Sequence, residues 1–535
     1  MASSDRPMAT GRTDPLISAK PPHAAASASD QTGPKGFYDA LFKHLVDQIK
    51  EQHGLRTVVI QSILAGDDWS GGEDGYDWIY ADERTQEQQS QAEQYEAREQ
   101  LSQTPLTVHG IHFPPADAGL SHDYQTLLKP FDKLRFVECE FYGESLFEDR
   151  LASVHFENCV FHNDWTVSEC HGFDESKPLF KGCDFRRSVI IGGAETGYAP
   201  IDRYDSVFEG TSIDQLCLEN SKLDIELFKS DGSMAPAIRS IKITNCRIES
   251  PLKASSIKSI EEIDCRLTVF RKKFTLDKCN IGRISLLSVN FEGLASFHQS
   301  QFENVFARKC IFSDQVLFIE CKFQSNQSDA SFKFDNVTFE SAISFRESQF
   351  DCPLDMRGTD RAREPDFLDT AFSKDALDQM DREAFRIIKH SFDSVGNHIE
   401  ANRYFAHEMN AYRRELRTHP DRSSWPIRRE RILLWINAVV SDHGQNYMRA
   451  ASWLLATVIV SAIVFATFGS AEEPMLPESL VLLADGANTL AMGFLPLRGL
   501  MAGRENLAFF ILLATVLISV FTWHLLVAVR RHSKR

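Results

Sequence analysis

The sequence has no paired metal-binding cysteines: eleven cysteines are strewn over 535 residues and no two stand as CxxC. That spacing argues against a structural zinc site. An odd number is no disulfide framework, and a reducing compartment suits the thiols better. The catalytic signatures are missing too: no GxxxxGK[ST], no GxGxxG after a strand, no HExxH and no GxSxG, while the seventeen histidines are scattered. An enzyme is therefore not expected, and neither is a cofactor or a resident metal. No apolar run opens the chain. Residues 1–35, rich in Ser, Ala, Pro and Asp, read as a disordered leader and carry no secretory signal, which keeps the N-terminal part in the cytoplasm.

Basic charge is scarce in the first half. Acidic residues outnumber basic ones 16 to 6 over 36–130 and 35 to 26 over 131–352, whereas the balance is 21 to 22 over 353–535. An acidic surface repels phosphates, so direct nucleic-acid binding is not expected, and electrostatically chosen partners should be basic. Tyr and Trp are few, 11 and 7, against 39 Phe.

Those phenylalanines carry the strongest pattern. From Phe136 to Phe350 the chain repeats a phrase: apolar, two variable residues, a small residue, one variable, apolar. It reads Phe136/Cys139/Phe141, Phe156/Cys159/Phe161, Phe180/Cys183/Phe185, Leu218/Ser221/Leu223, Ile243/Cys246/Ile248 and Leu276/Cys279/Ile281. It continues at Phe297/Ser300/Phe302, Cys310/Phe312, Phe318/Cys321/Phe323, Phe334/Val337/Phe339 and Phe345/Ser348/Phe350. A five-residue step fits neither the 3.6 period of a helix nor the 2.0 period of a strand. It fits a chain that turns a corner every five residues, so that four steps close a square coil and stacked coils share one core. Cys139, Cys159, Cys183, Cys246, Cys265, Cys279, Cys310 and Cys321 then stand two residues before an apolar centre, as small packed side chains. Cys170, Cys217 and Cys352 fall off that register and are the better thiol candidates. Insertions near 164–178, 187–213 and 228–239 interrupt the middle coils.

The repeat resembles the pentapeptide-repeat family, with Phe often at the central position where Leu is more usual. The resemblance implies a mainly β fold, a right-handed quadrilateral β-helix over 131–352, here about 50 Å long at ~20 residues per coil. The helical segment FRIIKHSFDSVGNHIEANRYFAHEMNAYRREL further resembles one seen in bacterial pentapeptide-repeat membrane proteins.

Flanking regions are helical. Residues 36–53 place apolar side chains at 37, 41, 42, 45, 46 and 49, and 82–101 form a Gln/Glu-rich helix. Between them, Asp67, Asp68, Glu73, Asp74 and Asp77 miss the order of a calcium loop and read as a solvated acidic loop. The whole 36–130 region is acidic, partly helical, and placed to cap the first coil. In 366–417, Phe385, Ile388, Phe392, Val395 and Ile399, then Phe405, Met409, Tyr412 and Leu416, step by three and four. Gly396-Asn397 marks the turn of a helical hairpin connecting coil to membrane.

Two segments, 450–468 and 507–529, are free of Asp, Glu, Lys and Arg and long enough to span a bilayer, with His524 as their ionisable residue. Arg413, Arg414, Arg417, Arg422, Arg428, Arg429, Arg431 and Arg449 precede the first. Arg530, Arg531, Lys534 and Arg535 lie in the 530–535 tail, whereas the 469–506 loop holds Arg498 and Arg504 against five acidic residues. The positive-inside bias places both termini in the cytoplasm. Residues 425–449 form a juxtamembrane amphipathic segment, read either as lying in the headgroup layer or as packed on the connector. Ser452/Ala456 and Ala462/Ala466 supply small faces for helix association.

The expectation is a non-enzymatic, membrane-anchored scaffold in a bacterial inner membrane, in contact with lipid, forming a homo-oligomer and presenting the β-helix to a cytoplasmic protein partner. An ion channel is the first alternative, prompted by the apolar, Gly- and Pro-broken stretch 488–501 between the spans. It is weakened by the absence of a filter phrase and of acidic residues inside the spans. A DNA mimic that binds topoisomerases, as the family resemblance allows, is the second alternative. The modest acidic excess of 131–352 mimics duplex DNA poorly.

Overall fold

A chain that returns on itself every twenty-odd residues needs corners, and a tight corner asks for left-handed backbone that L-residues seldom adopt. The computed structural model describes residues 34–64, 86–114, 127–128, 130–144, 152–167, 170–192, 201–229, 236–324, 331–468 and 508–533. In it such corners recur in register. One set comprises Gly110, Glu138, Asn158, Gly182, Gly210, Ser256, Lys278, Gln299, Glu320, Glu347 and Asp369; the other comprises Asn220, Asn245, Leu267, Ser288, Lys309, Asn336 and Gly358. All have φ between 49° and 67°.

Between corners run short parallel strands, which stack into a parallel β-solenoid of about ten turns. The registers define several inward columns, four of which carry the five-step phrase. The first is Phe136, Phe156, Phe180, Phe208 and Phe228. The second is Phe113, Phe141, Phe161, Phe185, Ile213 and Ile238. The third is Ile191, Leu218, Ile243, Cys265, Leu286, Ala307 and Phe334. The fourth is Leu223, Ile248, Phe270, Phe291, Phe312 and Phe339. Within columns the rings stack, as in Phe161 over Phe185 at 4.3 Å and 7°, and neighbouring columns meet edge to face, as in Phe180 and Phe185 at 5.0 Å and 84°.

The left-handed residue always falls just before the small residue of the five-step phrase. The phrase therefore marks two corners of each coil; at a third, one strand runs across both sides, as in Asn280–Leu287. This is why the phrase recurs near every ten or twenty residues rather than every five. The ladders also extend past the expected 131–352. Leu106–His109 pairs with Lys133–Val137, and Ala371–Phe372 pairs with Gln349–Phe350. Both added coils carry the five-step spacing, at Val108/Phe113 and Phe367/Phe372. The stretches 164–178 and 187–213, expected as interruptions, contribute paired strands in their described parts, among them Trp165–Val167 and Asp184–Gly192. Cys265 corrects the register: it is itself a central residue of the third column, and Leu267 two residues on is a 62% exposed corner.

The chain divides into two units, one of residues 1–94 with 117–130, the other of 95–116 with 131–535. In the first, helices α1 (Pro34–His53) and α2 (Thr57–Leu64) bury Leu41, Leu45, Val46, Ile49, Val59, Ile60, Ile63 and Leu64. Helix α2 was not anticipated, because eight residues show barely two turns of periodicity. Helix α3 (Gln86–Gln103) overlaps the expected 82–101 segment, of which 82–85 lie outside the described residues.

After the last coil come α4 (Lys374–Gln379), α5 (Arg382–Ser394), α6 (His398–Thr418), α7 (Trp425–Ser441), α8 (Tyr447–Phe468) and α9 (Ala508–Ser533). Ser373, Asp381 and Asn397 cap α4, α5 and α6 by accepting the amides of Ala376, Ala384 and Glu400. The hairpin turns at Gly396, φ 77°, where the chain needs left-handed backbone. Val395 and Ile399, expected on the buried stripe, flank that turn and are 77% and 55% exposed. On α6 the buried residues are Ala401, Tyr404, Ala406, Glu408, Ala411 and Leu416; of the expected stripe Leu416 is buried, while Phe405, Met409 and Tyr412 are half-buried.

Helices α8 and α9 are long and apolar enough to cross a membrane, and only 11% of each apolar window is buried. They pack through Ala450, Leu454, Phe521 and Leu525, with Trp453 stacked on Phe521 at 6.0 Å. Ser452, Ala456 and Ala462 face away from this contact and are exposed. The leader 1–33, the acidic loop at 67–77, the 469–506 loop with its 488–501 stretch, and Lys534 and Arg535 lie outside the described residues.

Candidate functional site

The small residue at each left-handed corner does more than fill space. A corner carbonyl has no strand partner, and a buried unpaired carbonyl is costly. Ser300 donates its hydroxyl to Leu276 O at 2.7 Å and accepts the Cys279 amide at 3.0 Å; Ser348 does the same for Phe318 O and the Cys321 amide. Thiols substitute as weaker donors: Cys159 reaches Phe136 O at 3.5 Å and Cys183 reaches Phe156 O at 3.6 Å. Burial pushes the Cys246 and Cys279 thiols up to about 11 and that of Cys321 up to about 12. These thiols are structural. Of the three off-register cysteines, Cys217 and Cys352 are also buried, burial raising Cys352 to about 12, while Cys170 is half-buried. No cysteine is in a disulfide.

Outward charges on the solenoid neutralise one another from coil to coil. Arg135 pairs with Glu157, Arg239 with Asp214 and Glu261 at 3.3 and 2.9 Å, and Arg308 with Asp335 at 3.3 Å. A concavity in the described solenoid wall, about 770 Å³, is lined by Asp184, Arg186, Asp214, Arg239 and Lys258 among others. It is shallow and its charges are of both signs. Among the described residues, no group of three or more His, Cys, Asp or Glu is arranged to hold a metal ion.

A further polar network lies between the last coil and the apolar helices. Tyr404 of α6 stacks on Phe392 of α5 at 5.6 Å and meets Phe372 of the last coil edge-on at 6.1 Å, so the hairpin covers that coil. Ser391 donates to Pro365 O, and Arg357 pairs with Asp381 at 2.9 Å. Between α5 and α6 the buried Glu408 is faced by Arg386 at 3.4 Å, Lys389 at 3.6 Å and Arg382 at 3.9 Å. The partnered cations let that carboxylate stay buried.

The next link is the turn between α7 and α8. Asp442, His443 and Gly444 are all left-handed, with φ of 49°, 55° and 84°. Such backbone persists only where its surroundings hold it. The Gly444 amide donates to Ser441 Oγ at 3.0 Å, Asn410 and His443 share a 3.3 Å hydrogen bond, and Gln445 donates to Asn402 O at 2.6 Å. Arg531, near the end of α9, donates to His443 O and lies 4.4 Å over the Phe405 ring, whose other neighbour is Lys389 at 5.1 Å. Glycine suits position 444 because its φ of 84° is one that L side chains rarely adopt, and a Cβ would also push the Arg531 guanidinium aside. His524 lies 3.4 Å from Ser441 Oγ, within α9's contact with the same turn. Arg531 and Arg414, which donates to Met380 O at 2.9 Å, were read as flanking charges and prove to be structural. Sequence spacing could not reveal this joint, since its partners are up to 88 residues apart.

No protein-family model, no curated protein and no solved structure matches this chain.

Proposed function

We propose that the protein is a membrane-anchored, non-enzymatic scaffold of the pentapeptide-repeat kind, holding its solenoid on the cytoplasmic face of a bacterial inner membrane for a protein partner. The observation that carries this reading is the joint. Contacts from Phe372 through Tyr404, Asn410, His443 and Arg531 tie the last coil to two exposed apolar helices. Such a linkage positions a surface relative to a bilayer; the packed interior of the coils offers no cleft for chemistry. The five-step columns support the family assignment, and the arginines around α7 and α9 support cytoplasmic termini. The outward Ser452, Ala456 and Ala462 are where a second copy would approach.

Crosslinking in intact membranes followed by mass spectrometry tests the proposal. A recurrent cytoplasmic protein linked through solenoid lysines such as Lys242 and Lys253, together with self-links between spans, supports it. Recovery of lipid and self-links alone, with no cytoplasmic protein, contradicts it.

A further inference from the structure

Most described arginines on the solenoid and hairpin face a carboxylate, as Arg239, Arg308, Arg346, Arg357, Arg382 and Arg386 do. Among the described residues, Arg187, Arg203, Arg361 and Arg363 stand singly without one. Beside the first apolar helix four such arginines gather around one pocket. This pocket of about 450 Å³ between the end of α6 and the first half of α7 is lined by Arg413, Arg417, Trp425, Arg428, Arg431, Ile432 and Trp435. Among the described residues, none of these four arginines has a carboxylate within 4.0 Å. The adjacent Glu430 is engaged by the Tyr412 hydroxyl at 2.6 Å. Burial and then the Arg417 charge lower Arg413 from its ordinary value, the direction expected of cations gathered without an anion.

The aromatic and aliphatic rim has a matching anomaly. Trp425, Ile432, Leu433 and Trp435 are 71%, 53%, 55% and 51% exposed, although α7 buries Leu434 and Val440 on its other side. Exposed Trp beside Arg is the composition of a segment whose rings sit at headgroup level and whose cations meet lipid phosphate. Its distance from the bilayer fits. Val439 accepts the Trp453 indole N–H at 3.3 Å in the second turn of α8, and Trp435 lies four residues earlier, ~6 Å along the helix.

We propose that this pocket binds the phosphate of an anionic phospholipid headgroup, with Arg413, Arg417, Arg428 and Arg431 as its ligands and Trp425 and Trp435 seated in the interface around it. The assignment rests on the membrane-anchored reading above and adds lipid selectivity to it. Guanidinium groups suit the site because each offers paired N–H donors to phosphate oxygens. A bilayer lipid supplies both the anion and the apolar surface that the exposed Trp and Leu side chains require, which a free anion does not.

The test is native mass spectrometry of the full chain from micelles doped equally with dioleoyl phosphatidylglycerol and dioleoyl phosphatidylcholine. Wild-type protein should retain phosphatidylglycerol preferentially, and the preference should fall as salt is raised. Each arginine should contribute about fivefold. The combined Arg413→Gln, Arg417→Gln, Arg428→Gln and Arg431→Gln variant should lose the preference, and the corresponding Lys set should retain part of it. Equal retention of both lipids by the wild type overturns the proposal, whether or not the Gln variant folds, and so does a preference that survives in a folded Gln variant. Displacement of the lipid by millimolar inorganic phosphate would assign the pocket to a free anion and overturn the lipid assignment. Sedimentation with vesicles, measured in parallel, separates the two claims: a chain that stays with membranes yet shows no headgroup preference loses the site and keeps the tether.

Discussion

At the scale of single residues, the solenoid stands on stacked rings and on hydroxyls or thiols that serve corner carbonyls. Phe323 is 1% exposed, 4.3 Å from Phe350, 5.3 Å from Phe302 and 4.6 Å from Phe332. Phe323→Ala should cost about 3–5 kcal/mol, read as a lowered unfolding midpoint in detergent by circular dichroism. Ser300→Ala strands both Leu276 O and the Cys279 amide, and should cost about 1–3 kcal/mol in the same assay. Thiol labelling at neutral pH should reach Cys170 first, with Cys246, Cys279, Cys321 and Cys352 reacting only in denaturant, since burial holds them protonated. Labelling of Cys279 or Cys321 in native protein would contradict the register. Buried His155 and His443 and half-buried His407 contribute to the pH response. His155 donates Nδ1–H to Pro178 O at 2.8 Å, its Nε2 has no partner, and burial lowers its pKa below the ordinary 6.5. The unfolded chain thus takes up the proton first. The stability His155 contributes is whole above about pH 6.5 and is lost as pH falls from there through the lowered value. The unfolding midpoint should drop between pH 7.5 and 5, and His155→Phe should lessen that drop.

At the scale of elements, legibility followed sequence distance. The five-step phrase was readable because corner, small residue and centre lie within six positions, so each coil announces itself. Cys265 misled because Leu267 is apolar yet sits at a left-handed corner, and spacing cannot tell a corner from a core. The first coil was missed because Ile111 fills the place where a small residue was sought. The α6 stripe was legible only at Leu416, because the helix is covered on more than one side: Tyr404 faces the last coil and Phe405 faces Arg531. The two long apolar helices needed only composition. The α7–α8 turn was invisible, since its three left-handed residues are held by groups from α6 and α9. Arg531→Ala should therefore raise hydrogen exchange at Gly444, Gln445 and Asn446 and leave the amides of the solenoid unchanged. Unchanged protection at the turn would mean that the guanidinium contact is incidental.

At the scale of the whole molecule, the second unit joins two solutions to the same problem of hiding apolar surface. Coils stack so that each buries its neighbour's rings, while α8 and α9 leave theirs outward, as helices do when lipid is the solvent. The hairpin between them closes the open end of the stack and grips the turn that leads into α8. The acid–base pairing along the solenoid wall leaves a surface of mixed charge. All of this depends on α8 and α9 entering a bilayer. Washing membranes that carry the full-length chain in alkaline carbonate, then floating them through a density gradient, asks that question directly. The chain should rise with the lipid after the wash; its release into the carbonate supernatant as a folded protein would contradict the account.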